Sequence, residues 1–130
     1  MTPDEFQQLV AGDSYLSQAI GAAAGAGRKT TRFGGVTEAA LVVLMFPLVR
    51  FVLREIGLPW LHELRRFSEL QRQRVHDWID DQHHHHGFDP DEAEAASDAL
   101  LAELERATDR PARSAWERLA GLIGAKDSDE

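Results

Sequence analysis

Cysteine is absent from this chain, which excludes disulfides and thiolate metal centres and suits a reducing compartment. Lysine is close to absent as well, with only Lys29 and Lys126 among the bases. Scarce lysine beside abundant arginine, alanine, glycine and acid is the composition expected of a GC-rich bacterium or its phage. No stretch alternates apolar and polar side chains long enough to make a strand, and no segment repeats. A nucleophile motif is missing: Ser14, Ser17, Ser68, Ser97 and Ser114 fall at expected caps or exposed helix positions. The phosphate-loop spacing GxxxxGK[ST] is missing too, since GAGRKTTRFGG only imitates its composition and follows no strand. The amino terminus, MTPDEFQQLV, carries acids where a secretory leader would carry positive charge, so no signal peptide is expected. With no catalytic set visible, the chain is expected not to be an enzyme.

A long hydrophobic run is also lacking. The longest, Ala39 to Val49, has eleven residues before Arg50, Arg54 and Glu55 intervene. Membrane spans want about 18 or more. This run nevertheless dominates the sequence, because it is apolar on every side of a helix and leaves no face for water. Burying each of its large side chains is worth ~1.5–3 kcal/mol, so something must cover it. The expected cover is other helices, from this chain or a partner. Insertion into a membrane is the alternative, with Arg28–Arg32 or Arg65–Arg74 meeting anionic lipid. Pro47 removes a backbone donor and crowds the carbonyl of Val43, predicting a kink or break near Phe46.

The remaining segments read as helices. Thr2-Pro3-Asp4-Glu5 has the parts of a helix start in order, with a capping box and a proline in the first turn; Gly12 is the expected stop. SYLSQAIGAAAGAG predicts a short helix from about Ser14 to Ala24, capped by Asp13 or Ser14. Its Gly21 and Gly25 have the spacing that lets another backbone approach. The hydrophobic helix follows from about 37 to 56. Gly57-Leu58-Pro59 ends it and opens the next helix. From Trp60 to about His84, the stripe Trp60, Leu61, Leu64, Phe67, Gln71, Val75, Trp78 and Ile79 predicts one long amphipathic helix. Asp89-Pro90 starts another, to about Ala107, and Thr108–Pro111 restarts the chain for a last helix to Ile123. Gly124 is expected to end that helix and AKDSDE to fray.

The fold class expected is therefore all-α. Five to six helices would pack as an irregular bundle around the helix near 37–56, clasped by the 60–84, 90–107 and 111–123 helices. The expected divisions are short helices over 1–27, a basic glycine-ended linker over 28–35, a helical core over 36–124 and a tail over 125–130.

The net charge of −8 is unevenly spread. Arg28–Arg74 holds nine bases against four acids, and Val75–Glu130 holds five against fifteen. An acidic total disfavours general nucleic-acid binding, whereas a basic middle beside an acidic end permits self-association. The sole metal candidate is the face His76, Asp80, His83 and His84, at i, i+4, i+7 and i+8. Imidazole and carboxylate at that spacing suit Zn, Ni or Cu, although the face lies opposite the apolar stripe. No cofactor is expected otherwise, and no small-molecule substrate is evident. The reading reached is a non-enzymatic adaptor, subunit or regulator acting through a protein partner or homo-oligomer. Candidate contact residues are Arg28, Lys29, Arg32, Phe46, Phe51 and Trp60. A cytoplasmic location is expected, with the inner membrane as alternative.

Overall fold

The computed structural model describes residues 1–27, 38–82 and 90–128. Among them are six α-helices and no strand: α1 Pro3–Ala11, α2 Ser14–Gly27, α3 Glu38–Phe51, α4 Glu69–Gln82, α5 Pro90–Arg106 and α6 Arg110–Ser128. The all-helical bundle is thus as the hydrophobic periodicities predict.

Local chemistry sets the starts. Thr2 and Glu5 close a reciprocal capping box, each side chain bonding the other's backbone N–H. Asp13 caps α2, accepting from the Leu16 N–H at 3.1 Å. Asp109 caps α6, accepting from the Ala112 N–H at 2.9 Å. Gly12 ends α1 as expected. Gly124 does not end α6, which runs on to Ser128. Gly124 is not among the glycines with a positive φ, the backbone by which a glycine most often terminates a helix; among the described glycines only Gly57 has one.

The hydrophobic α3 is covered by protein. Val42, Met45, Phe46, Leu48 and Val49 are buried, and the Phe46 ring lies 5.0 Å from that of Phe6 on α1. The helix continues through Pro47 without ending there. Its departure from α geometry comes later, at a π-turn over Val52–Ile56 that closes with the Gly57 N–H bonded to Val52 O at 2.8 Å. No helix among the described residues is long and apolar enough to cross a membrane.

The expected clasp is arranged differently. α3 packs chiefly against α1 and α2, and the most extensive helix pairing is α2 on α5. The alanine-rich face of α2 explains this: Ala19, Ala23 and Ala24 are buried beside Leu16 and Ile20, while α5 buries Ala96 and Ser97 beside Leu100 and Leu101. Small side chains let two helix axes approach closely along their length. The glycines are not what α2 uses for this. A side chain added at Gly21 would meet nothing within 4 Å.

Trp116 of α6 is fully buried, and its indole N–H donates to the Tyr15 hydroxyl at 3.1 Å, with the rings edge to face. Burial pushes the Tyr15 phenol above its ordinary value, Glu103, Asp109 and Asp13 add to the rise, and the Trp116 bond opposes it.

The expected long helix from Trp60 to His84 is broken. A 3-10 turn over Pro59–His62 ends at Glu63, which adopts the left-handed conformation at φ 60°, and α4 begins only at Glu69. Ser68 and Gln71 form a second reciprocal capping box, which starts α4 afresh. Phe67, Val75 and Ile79 are buried as the stripe predicts, but Leu61 and Leu64 are exposed.

Two outcomes test this packing. Gly21→Ala and Gly121→Ala each raise stability by about 0.5–1 kcal/mol, whereas Ala23→Leu lowers it by about 1–3 kcal/mol, read by urea unfolding. Tyr15 is the only tyrosine, so phenolate absorbance follows one group. Its midpoint lies above 10.0 in the native protein and returns toward that value in denaturant. The stability it contributes is whole below the unfolded value and is lost as pH climbs through the raised native one.

Candidate functional site

The break between the hydrophobic helix and α4 builds the most distinctive surface of the molecule. Gly57 sits at φ 88° and ψ 177°, a backbone region essentially open to glycine alone. It turns the chain so that Leu58 and Pro59 are buried while Trp60 stays at the surface edge. The left-handed Glu63 reverses direction again, with the Leu64 N–H bonded to Pro59 O at 3.0 Å. Residues 64 to 68 then cross to the end of α5.

Glu105 on α5 fixes that crossing. Its Oε2 accepts from the Phe67 backbone N–H at 2.9 Å and from the Arg72 guanidinium at 2.7 Å. One carboxylate thereby ties the irregular segment and the first turn of α4 to the same point. The Glu105 and Arg72 side chains are only 17% and 32% exposed, so the pair is sheltered from the full screening of water.

Between these elements lies an open groove of about 660 Å³. Pro59, Trp60 and Leu64 give it apolar wall; Arg65, Arg66, Arg72, Arg106 and Arg113 border it, with Glu105 the single acid in its lining among the described residues. The arginines divide by occupation. Arg113 lies over the Trp60 ring at 5.3 Å and its Nε–H donates to Ala107 O at the end of α5. Arg106 pairs with Glu103, and Arg72 with Glu105. Positive charge beside the α5 carboxyl end also complements the helix dipole, which accounts for these three without any ligand. Arg65 and Arg66 are different: they are exposed and, among the described residues, have no hydrogen-bond or ion-pair partner. Trp60 is held in place by its indole N–H, which donates to Glu117 at 2.9 Å.

The other residues singled out from the sequence are scattered. Phe46 is in the core, and Phe51 is half-buried, its ring stacked on Trp78 at 4.8 Å and 11°. His76 Nε2 lies 3.1 Å from Asp98 Oδ1, linking α4 to α5, and Asp80 is exposed on α4. Arg28, Lys29, Arg32, His83 and His84 lie outside the described residues. Among the described residues no three ligating side chains gather as a metal would need. Of the described contact residues expected from the sequence (Phe46, Phe51 and Trp60), Trp60 reaches the groove. Arg65 and Arg66, which the sequence offers within the stretch Arg65–Arg74 for anionic lipid, precede α4 rather than lying on it. Arg113 and Glu105 carried no sequence signal, since their partners are distant in the chain.

The geometry has an energetic test. Glu105→Ala leaves a part-buried N–H and a guanidinium without their acceptor and costs about 1–3 kcal/mol. Gly57→Ala costs about 1–3 kcal/mol from backbone strain alone, because an added Cβ meets nothing closer than His62 Nε2 at 3.7 Å. Both read out as lowered urea midpoints. Set against family models, characterised proteins and solved structures, the chain matches none.

Proposed function

We propose that this chain is a non-enzymatic helical module that works through protein contacts, as an adaptor, subunit or regulator within a bacterial or phage assembly. The observation that carries the reading is where its exposed apolar side chains fall. Of the large hydrophobic residues left in water among the described residues, Leu61, Leu64 and Leu70 lie together in sequence, flanking Arg65 and Arg66; Leu9 is the fourth. Apolar side chains clustered with arginine beside a tryptophan make the composition of a contact surface, whereas scattered single leucines would need no explanation. The hydrophobic α3 gives the weaker motive for a partner, because Val42, Met45, Phe46, Leu48 and Val49 are already buried in the bundle. The contact reading therefore rests on residues 60 to 70.

A second reading takes its support from the same mixture. Leucine and arginine at one surface also suit an anionic lipid interface, lying on the membrane rather than through it. On the first reading the protein resides in the cytoplasm, and on the second at the inner membrane.

Site-directed photocrosslinking separates these. A photoreactive phenylalanine analogue replaces Leu61, Leu64 or Leu70, with exposed Gln18 on α2 as the control position. Discrete protein adducts from the three leucine positions, and none from Gln18, are the expected result. Adducts at background level from all four sites would remove the contact reading.

A further inference from the structure

We infer that the groove beside Trp60 receives an acidic peptide segment of a partner protein, with Arg65 and Arg66 taking its carboxylates and Trp60 and Leu64 taking an apolar side chain. The inference deepens the contact reading above and rests on it.

Charge complementarity argues for the occupant. Among the described residues five guanidiniums and the Glu105 carboxylate line the groove, with Glu103 on Arg106 and Glu117 on Trp60 at its edge, in a chain whose net charge is −8. A surface so opposed in sign to its own protein steers anions to one place and repels them elsewhere. Three of the five arginines are engaged internally with Glu103, Glu105, the Ala107 carbonyl and the Trp60 ring. Arg65 and Arg66 remain, adjacent in sequence, each offering a planar fork that matches a carboxylate.

The apolar wall narrows the chemistry. A free inorganic anion would use the arginines and gain nothing from Trp60, Leu64 or Pro59. A nucleic acid would extend past the groove onto acidic surface, where α4 exposes Asp77, Asp80 and Asp81 and α5 exposes Asp91 and Asp98. Repulsion there counts against a long polyanion. A short segment with a few acids around one apolar residue meets both halves of the groove without needing the rest of the surface. Trp60 suits the apolar contact because its ring is fixed before the ligand arrives, by the Glu117 bond on its edge and Arg113 on its face. An ordered wall asks less entropy of the complex.

The test uses the full chain and a fluorescein-labelled peptide of glutamates around a single leucine, followed by anisotropy. Its counterpart with glutamine for every glutamate is the neutral control. The glutamate peptide binds and the glutamine peptide does not. Arg65→Ala with Arg66→Ala weakens binding roughly tenfold or more, and Arg65→Lys with Arg66→Lys restores part of it. Leu64→Ala weakens binding by a smaller factor. Binding fades as salt approaches 1 M, where screening acts within about 3 Å. Circular dichroism and the Tyr15 titration confirm that each variant is folded.

Equal binding of the glutamate peptide to wild type and the double alanine variant overturns the inference. So does equal binding of the neutral peptide. Arginine-dependent binding to phosphatidylserine vesicles without peptide binding assigns the groove to lipid instead. Arginine-dependent self-association by sedimentation, again without peptide binding, assigns it to a second copy. Crosslinks from Leu61 that persist while the peptide fails to bind leave the contact reading standing and the acidic ligand refuted; loss of both removes both.

Discussion

The run from Ala39 to Val49 offers water no polar face, and covering it is the constraint from which the architecture follows. α1 brings Phe6 against Phe46 at one end, and α2 lies along the helix. α2 cannot do this alone, because its other buried face must also be covered. α5 performs that task, and small buried side chains on both helices favour close packing of the pair. α6 then closes on α2 and on the π-turn after α3, anchored by Trp116 and its bond to Tyr15.

The groove arises where this succession meets a change of direction. The chain leaves the π-turn through Gly57 and reverses at Glu63, both in left-handed or glycine-only backbone regions. Glu105 receives it on the far side. The arginines at the end of α5 answer the partial negative charge of that helix, and their density there is partly structural. What lies beyond structural need is the exposed pair at 65 and 66 with leucines on either side. Sorting the guanidiniums by what each already holds is what separates a candidate binding surface from ordinary charge decoration.

Helix starts were legible in the sequence because their chemistry is local. Thr2 and Glu5, Asp13 and Asp109 each act on backbone within a turn of themselves. The segment from Trp60 to Gln82 was misread because its apolar spacing fits one helix while its backbone obeys other rules. Pro59 opens only a 3-10 turn, Glu63 turns left-handed, and Phe67 is buried through a bond to a carboxylate 38 residues away. The Ser68 and Gln71 box was present in the letters, but a continuous stripe overrode it. The partner of α2 was not legible for the opposite reason: alanine looks featureless in one dimension, and the pairing with α5 is set by buried Ala19, Ala23 and Ala24 rather than by the Gly21 and Gly25 spacing. The groove was invisible at this level, since its lining converges from three separate segments.

The side chains at 61, 64, 65 and 66 are exposed and contribute nothing to the interior. The groove's shape is held instead by Gly57, Phe67 and Glu105, whose backbone and hydrogen-bond roles ignore what those positions carry. On the contact reading proposed above, recognition and folding are written in different letters of the same loop. Under that proposal, mutation can retarget this surface toward another ligand without first having to rescue the scaffold.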